Sequence, residues 1–385
     1  MDTAHKTEDE KKEYFDAPDV LEQKVTLLAE MIKTSKHFVT FTGAGISTST
    51  GIPDFRSGIN TVLPTGPGAW EKMAQKVENK HKNIKTSMLK AIPSPTHMSL
   101  VQLQKKGYLK FLISQNVDGL HRRSGFSPFH LAELHGNTNL EKCKKCGKEY
   151  LRDFRVRNAQ KVHDHKTGRK CSDQKCKGDL YDSIINFGEN LPEKDLKEGF
   201  AQSKKADLHL VLGSSLRVTP AADMPATTAE KGQKLVIINL QKTPLDSVAT
   251  LRINAMCDDV MKMVMKKLGL DIPEFTLERR VVLEKTGMNA LTVSSQDSDD
   301  CTYDLFKQIK VDYGKIHPEQ TLIKAPFNII PKNKIFTLNL SFYGHYGEQD
   351  FNLNIDMSAL SLNKKVKYLI QYSPKEQKWI SCNEI

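Results

Sequence analysis

The chain has 385 residues, of which 38% are hydrophobic, and its formal net charge is +11. This length allows one large domain plus a smaller one, and the apolar fraction excludes a wholly disordered chain. No apolar run approaches the roughly 20 residues of a membrane-spanning helix, and the charged first residues lack the apolar stretch of a secretory signal. We therefore expect a reducing compartment, in which the seven cysteines are thiols or metal ligands rather than disulfides.

The first 275 residues predict a flexible segment at 1–19 followed by a large α/β domain at 20–275. A helical pattern begins at residue 20, and residues 37–42 form a strand-like run that ends in a glycine turn. Similar elements alternate further along the chain: strands at 110–114, 208–212 and 235–239, and helices at 96–106 and 258–268. This alternation indicates βαβ units, and we predict a doubly wound, Rossmann-like parallel sheet.

Four cysteines are arranged in two short hooks. Cys143 and Cys146 are separated by two residues, whereas Cys171 and Cys176 are separated by four. Four thiolates in this arrangement are typical of a closed tetrahedral zinc site, which leaves no position for a reacting water. We therefore predict a structural zinc module over about residues 141–178, inserted into the α/β domain as a separate unit.

The zinc module is strongly basic. Residues 141–178 contain 13 Lys and Arg against 5 Asp and Glu, a net charge of +8. Such a patch attracts polyanions such as nucleic acid, although a solvated surface that maintains solubility explains it equally well. His163 and His165 lie near the hooks and are alternative metal ligands.

The C-terminal part of the chain has a different texture. Residues 276–305 contain Ser and Asp clusters and are expected to be a linker. Residues 306–385 include long stretches in which apolar and polar side chains alternate, as at 336–342, which is typical of strands with one buried face. We predict a small antiparallel β-rich region whose role the sequence does not indicate.

The glycine turn Gly43-Ala44-Gly45 is close to a dinucleotide-binding fingerprint. Glycines let the backbone approach a pyrophosphate, but alone this match is equally compatible with an ordinary strand-to-helix turn. An oxidoreductase is disfavoured, because the acidic ribose-binding residue about 20 positions on is missing. The chain continues instead with Gly51-Ile52-Pro53-Asp54-Phe55-Arg56.

This pair of motifs resembles the opening signature of the sirtuin (Sir2) family. Four further blocks follow in the family's order: Gln115-Asn116-Val117-Asp118-Gly119-Leu120-His121, Glu133-Leu134-His135-Gly136, Phe187-Gly188-Glu189 and Gly213-Ser214-Ser215-Leu216. The resemblance is strongest to the nuclear group that contains the sixth and seventh mammalian sirtuins, on the basis of Trp70, Asn239-Leu240-Gln241 and the segment that begins at Cys257. It covers residues 20–275, and residues 276–385 match nothing in the family.

The resemblance implies an NAD-dependent protein-lysine deacylase that releases nicotinamide and O-acyl-ADP-ribose. His135 would be the general base, because an imidazole accepts a proton at neutral pH. Asn116 and Asp118 would line the nicotinamide pocket. The remaining cofactor-binding residues would be Gly43, Ala44, Gly45, Thr48, Asp54, Phe55, Arg56, Trp70, Gln115, Gly213, Ser215, Asn239, Gln241 and Cys257.

The acyl-lysine substrate is expected to add as a strand beside Phe187, Gly188 and Glu189, with Ile185 and Phe187 as walls of the acyl-lysine tunnel. Histone tails or other nuclear proteins are the expected substrates, and the nucleus is the expected location. Two alternatives remain open: mono-ADP-ribosylation of protein from the same NAD site, and a chromatin-binding protein with weak catalysis. The loop at 57–68 is longer than is usual in the family, which leaves the contact of Trp70 undecided.

Overall fold

A computed structural model describes residues 8–74, 88–159, 161–315 and 317–385. The chain divides into two compact units: residues up to 137 together with 184–274, and residues 138–183 together with 275–385. No helix of the described residues is both long and apolar enough to cross a membrane.

The described helices and strands are, in chain order, as follows. The α-helices are α1 (Glu8–Lys11), α2 (Pro18–Thr34), α3 (Ala69–Ala74), α4 (Pro95–Lys105), α5 (Leu120–Arg123), α6 (Glu193–Lys205), α7 (Asp223–Glu230) and α8 (Cys257–Leu268). The strands are β1 (Phe38–Thr42), β2 (Leu109–Ser114), β3 (Leu131–Glu133), β4 (Leu140–Cys143), β5 (Glu149–Arg152), β6 (Lys166–Lys170), β7 (Asp179–Asp182), β8 (Leu208–Leu212), β9 (Lys234–Ile238), β10 (Leu251–Ile253), β11 (Leu277–Gly287), β12 (Ala290–Gln296), β13 (Thr302–Asp304), β14 (Phe306–Asp312), β15 (Gln320–Leu322), β16 (Phe327–Ile329), β17 (Ile335–Phe342), β18 (Phe351–Asp356), β19 (Lys365–Ser373) and β20 (Lys378–Glu384).

The first unit is built on a parallel sheet with the strand order β3-β2-β1-β8-β9-β10. All residues of β1 and β8 are buried, as expected for central strands with helices on both faces. The strand order reverses at β1 and β8, because β2 and β3 follow on one side and β9 and β10 on the other. Such a switch point forms a crevice at the carboxyl ends of the strands where dinucleotides bind. The predicted Rossmann-like sheet is confirmed.

Helices α2 and α8 cover one face of this sheet. Helix α2 begins with a proline in its first turn, and Val25, Leu28 and Ile32 bury its apolar stripe. Helix α8 buries Val260, Met261, Val264 and Met265 in the same core and ends at Gly269, whose positive φ closes the helix.

The second unit joins the cysteine hooks to the C-terminal strands in one sheet. Its order is β20-β19-β11-β12-β13-β5-β4-β7-β6, with β16 beside β12. Strand β13 pairs in parallel with β5, with Thr302 opposite Tyr150. The predicted inserted zinc module is present, but its sheet continues into the C-terminal strands, because β5 pairs with β13 as well as with β4.

The prediction of a linker at 276–305 is wrong. Strands β11 and β12 occupy most of this segment, and their alternate residues Val281, Leu283, Leu291 and Val293 are buried. The Ser and Asp cluster lies at the end of β12 and in the turn before β13. Polar composition there marks a turn between two strands rather than a flexible connection.

The β-rich C-terminal region is confirmed as two packed sheets. Strands β15, β14, β17 and β18 form an antiparallel sheet in that order. Its buried residues, including Ile309, Leu338 and Leu353, share one apolar core with Val281 and Val293 of the larger sheet. The alternation of apolar and polar side chains therefore explains both the strands and the packing of the two sheets through their apolar faces.

A buried ion cluster connects the two parts of the second unit. The guanidinium of Arg279 is 1% exposed and donates to Asp153 at 2.8 Å and to Glu348 at 3.0 Å. The hydroxyl of Tyr303 donates to Asp153 at 3.2 Å. Two carboxylates around one buried cation balance its charge and accept from both of its terminal amino groups.

The structure also differs from the prediction of a flexible segment at 1–19. Residues 1–7 lie outside the described part of the chain. Beyond them, Asp16 accepts from Lys24 at 2.8 Å, and its backbone N–H donates to the carbonyl of Asn254 at 2.8 Å. These bonds hold residues near Asp16 against α2 and the end of β10.

Candidate active site

The glycine turn after β1 packs directly against the turn after β8. An added Cβ at Gly43 would lie 2.6 Å from the carbonyl oxygen of Gly213, and one at Gly45 would lie 2.7 Å from the Cα of Gly213. Gly213 itself has a φ of 59° and meets Gly45 equally closely. Only glycines allow the two turns to approach this closely at the switch point.

A hydrogen-bonded network fixes the polar residues that follow β2. The side-chain amide of Asn116 donates to the carbonyl of Gly43 at 3.0 Å. Asp118 is 4% exposed, accepts from the hydroxyl of Ser47 at 2.8 Å and accepts from the N–H of Leu120 at 2.9 Å. The network positions both predicted nicotinamide-pocket residues beside the glycine turn.

The ring of His135 is oriented by a backbone bond. Its Nδ1 lies 3.0 Å from the carbonyl oxygen of Gln115. A carbonyl only accepts, so Nδ1 carries the proton and Nε2 keeps its lone pair. Burial lowers the pKa of His135 below its ordinary value, the bond to Gln115 acts in the opposite direction, and the positive charge of Arg56 adds to the lowering. The imidazole is therefore a neutral base at neutral pH.

Glu133 is a second buried titratable group on the strand that leads to His135. Burial raises its pKa to about 7, against the opposing effect of Arg122. Its carboxylate accepts from the side-chain amide of Asn137 at 2.9 Å.

Aromatic side chains and one cation cluster after the glycine turn. The ring centroid of Trp70 lies 5.6 Å from that of Phe55 and 5.7 Å from that of Phe187. The guanidinium carbon of Arg56 lies 4.5 Å from the centroid of Trp70. Burial, followed by the charge of Arg217, lowers the pKa of Arg56 to about 10. Two neighbouring cations in a crevice create a site for an anion such as a pyrophosphate.

Asp54 has a local role in the loop that follows it. Its carboxylate accepts from the hydroxyl and the N–H of Ser57, at 2.6 and 3.2 Å. Burial raises the pKa of Asp54, and the bonds from Ser57 oppose that rise.

The predicted adenosine-end residues lie directly after β9 and at the start of α8. The side chain of Asn239 donates to the carbonyl of Gln241 at 2.9 Å, and the side chain of Gln241 donates to the carbonyl of Lys11 at 3.1 Å. Cys257 is buried in the core, where burial raises its pKa to about 12. Its side chain is therefore a packing group, and only its backbone is available to a ligand.

The remaining cofactor-binding candidates lie in or beside the two turns. Thr48 is buried and donates to the carbonyl of Gly45 at 3.2 Å, whereas Ala44 and Ser215 are partly exposed. Gln115 donates through its side chain to the hydroxyl of Ser214 at 2.9 Å, which ties the segment after β2 to the turn after β8.

The segment beside which the substrate is expected to add is a turn. Residues 187 and 188 are in a turn, Gly188 has a φ of 88°, and the carboxylate of Glu189 accepts from the N–H of Asn186 at 2.7 Å. The Glu189 carboxylate caps this turn locally, and the addition of the substrate as a strand beside the segment stays a prediction. Ile185 remains extended and donates from its N–H to the carbonyl of His135 at 3.1 Å, and the Phe187 side chain is 61% exposed.

The four cysteines converge in a geometry that fits zinc. Their sulfur atoms all lie within 4.8 Å of one another, with 3.5 Å between Cys143 and Cys176 and 3.7 Å between Cys146 and Cys171. A tetrahedron with Zn–S bonds of about 2.3 Å requires S···S separations of about 3.8 Å. The hydroxyl of Tyr150 lies 3.0 Å from the sulfur of Cys171 and supports it from outside the cluster.

The predicted alternative ligands do not join this cluster. Nδ1 of His165 lies 3.0 Å from the carboxylate of Asp182, and the metal-ligand cluster found in the described part of the chain consists of the four cysteines.

Sequence reasoning did not identify Ser47, Ser214 and Arg217 as site residues. Ser47 and Ser214 hold Asp118 and Gln115, and Arg217 influences Arg56. These residues lie in or directly after the two glycine turns, and that position is the sequence feature that could have identified them.

Comparison with known proteins gives consistent matches. A model of the Sir2 family matches residues 43–220. The chain is 40% identical over 330 residues to the NAD-dependent protein deacetylase SRT1 of Arabidopsis thaliana, a match that covers 82% of this chain and 66% of that protein. It is 40% identical over 269 residues to the NAD-dependent protein deacetylase Sirt6 of Drosophila melanogaster, which covers 69% of this chain and 81% of that protein.

The match to an Oryza sativa SRT1 covers 52% of that protein, so the chain spans between half and two thirds of the two plant relatives. Among solved structures, a Sir2 complex with deacetylated p53 peptide and 3'-O-acetyl ADP ribose is similar with a TM-score of 0.50 and 35% identity. That match covers 64% of this chain and 100% of the other.

Proposed function

The chain belongs to the sirtuin (Sir2) family, and from this we propose that it is an NAD-dependent protein-lysine deacylase. The reaction would transfer the acyl group of an acyl-lysine to ADP-ribose and release nicotinamide. Bound NAD would supply the activated ribose carbon and the ribose hydroxyl on which this chemistry depends.

The observation that carries the proposal is the orientation of His135. Its Nδ1–H donates to Gln115, and its pKa lies below the ordinary value, so Nε2 is a free proton acceptor. A neutral imidazole beside a glycine-lined crevice is the group required to take a proton from a ribose hydroxyl.

Other residues of the site have supporting roles in this proposal. Gly43, Gly45 and Gly213 allow the turns after β1 and β8 to pack closely at the switch point where the pyrophosphate would bind, and Arg56 adds a positive charge. Asn116 and Asp118 present polar groups to the nicotinamide. Phe55 and Trp70 would place two aromatic rings beside the cofactor.

The decisive test replaces His135 with alanine. We expect kcat on an acetyl-lysine peptide to fall by about 10²- to 10⁴-fold, because the general base is lost. NAD binding and thermal stability are expected to stay near the wild-type values. Mass spectrometry of the products measures deacetylation, and His130→Ala, a change at an exposed histidine, is the matched control.

Full turnover by His135→Ala would remove His135 from the base role. An ADP-ribosylated acceptor in place of a deacylated peptide would contradict deacylation and support mono-ADP-ribosylation from the same site.

We extend the proposal to histone tails or other nuclear proteins as substrates and to the nucleus as the location. Support comes from the resemblance to the group of the sixth and seventh mammalian sirtuins. A panel of acylated histone peptides and the distribution of a fluorescent fusion protein test these two points. Activity confined to non-nuclear peptides, or exclusion from the nucleus, would contradict them.

We also propose contact between the zinc module and nucleic acid. Arg152, Arg157 and Arg169 form internal ion pairs with Glu141 or Asp182, which removes part of the formal charge. The exposed cations are mainly lysines: Lys144, Lys145, Lys148, Lys161, Lys175 and Lys177. Salt-dependent DNA binding that persists in His135→Ala is the expected result, and binding independent of salt would contradict it.

A further inference from the structure

The N-terminal strap, residues 10–16, crosses the edge of the first unit. The N–H of Tyr14 donates to the carbonyl of Leu240 at 3.0 Å, and the carbonyl of Lys11 accepts from the side chain of Gln241 at 3.1 Å. The bonds of Asp16 to Asn254 and Lys24 fix the other end. The strap is thus anchored on the segment that follows β9, where the adenosine end of NAD is proposed to bind.

The cofactor loop, residues 57–68, is closed at its base but has little apolar support at its tip. The N–H of Gly68 donates to the carbonyl of Ser57 at 2.8 Å, and the N–H of Trp70 donates to the carbonyl of Phe55 at 3.1 Å. At the tip, Ile59 is 51% exposed and Val62 is 57% exposed. Since these side chains are not buried, packing contributes little to holding the tip, and polar contacts must do so.

Glu13 supplies those contacts from the strap. Its carboxylate accepts from the hydroxyl of Thr61 at 2.5 Å and from the N–H of Val62 at 3.0 Å. Lys11 strengthens the connection with an ion pair of 3.1 Å to Glu71. A carboxylate with two donors fixes a loop more strongly than a neutral acceptor would.

A third contact connects the strap to the cationic part of the crevice. The carboxylate of Glu10 lies 3.1 Å from Arg217, the residue whose charge acts on Arg56. The strap therefore contacts three parts of the proposed cofactor site: the loop tip, the segment after β9 and the cation that follows β8.

We propose that Glu13 is a positioning residue for the cofactor, which acts by holding the cofactor loop in place before NAD binds. This inference rests on the proposed NAD-dependent function. The loop lies between Arg56 and Trp70 in the chain, so an ordered loop reduces the motion of the segment that carries these two side chains. Preorganisation of this kind improves affinity because less ordering is required on binding.

The test compares Glu13→Ala, Glu13→Gln and the control Glu30→Ala in the full-length chain. Glu30 is a matched control, because it is a glutamate 60% exposed on α2 whose ion pair with Lys33 lies on the helix surface. Hydrogen–deuterium exchange of the loop amides is measured without cofactor, and KM for NAD and kcat are measured with an acetyl-lysine peptide. Strand β1 provides the internal reference for exchange.

Glu13→Ala is expected to speed exchange in the cofactor loop and to raise KM for NAD by about tenfold, because the loop tip loses both bonds to the carboxylate, with little change in kcat. Glu13→Gln should recover part of both effects, since its amide oxygen still accepts, and Glu30→Ala should behave as the wild type.

Unchanged loop exchange in Glu13→Ala, in a protein that consumes NAD, would overturn the positioning role alone. Faster exchange with an unchanged KM would also overturn it, because loop order would then be irrelevant to the cofactor. A wild-type protein that does not bind NAD would overturn the proposed function and the positioning role together.

Discussion

At the scale of single residues, His135 shows how one backbone bond determines chemistry. The carbonyl of Gln115 selects the tautomer, and burial favours the neutral ring. Gln115 is itself held by Ser214 of the opposite turn. The base is thus positioned by contacts from two different strands of the sheet.

The pKa of His135 gives a pH prediction. A base works in its deprotonated form, and the pKa lies below 6.5, mainly because of burial. The acid limb of kcat/KM should therefore lie below pH 6.5. Arg56→Gln removes a nearby positive charge, which should raise the pKa and move the limb to higher pH. A pH–rate series measures this, with Lys262→Gln on the exposed face of α8 as the control.

The alternative assignment of the acid limb is the titration of Glu133, because its pKa of about 7 also lies near neutrality. A limb that moves in Glu133→Gln but stays fixed in Arg56→Gln would assign the titration to Glu133 and contradict the base role of His135.

At the scale of elements, the pairing of β5 with β13 explains why the zinc hooks are not independent. Strand β5 carries Tyr150, whose hydroxyl contacts Cys171. The next residues along β5 lead to Asp153, which binds Arg279 of β11. Strand β5, which pairs with the C-terminal strand β13, therefore contacts the metal cluster through Tyr150 and through its pairing with β4.

Asp153→Ala is predicted to destabilise the second unit by about 3–5 kcal/mol, since it leaves the buried Arg279 with one carboxylate fewer. Chemical denaturation measures the change in the free energy of unfolding. The exposed Asp350, replaced by alanine, is the matched control. A loss below about 1 kcal/mol would mean that Glu348 alone satisfies the guanidinium.

At the scale of the whole molecule, neither unit is a continuous stretch of the chain. Each is assembled from two separate segments, and the second contains both the zinc hooks and the C-terminal strands. A domain boundary at residue 275 therefore separates the two segments of the second unit.

Truncation after Glu274 should reduce zinc retention and solubility, because β5 loses β13 and Asp153 loses Arg279. Zinc per chain and the rate of zinc removal by a chelator, compared with the full chain, measure this. A truncated protein that keeps one zinc with the same resistance to the chelator would contradict the idea that the C-terminal strands support the site.

The sequence by itself determined the parallel sheet, the glycine turns, the cysteine cluster and the family. These depend on local patterns: buried runs such as Phe38–Thr42, glycines where two backbones meet, and thiols at fixed spacing. The C-terminal strands were also predictable, since alternation along 336–342 reports one buried face.

Only the tertiary structure decided which segments become partners. The pairing of β13 with β5, the ion cluster around Arg279 and the bonds of Glu13 to the cofactor loop join residues far apart in the chain. Local composition carries no signal for such contacts, because hydrogen bonds and ion pairs between distant residues depend on where the fold brings the strands. For the same reason, a Ser- and Asp-rich segment read as a linker proved to be the end of a strand and its turn.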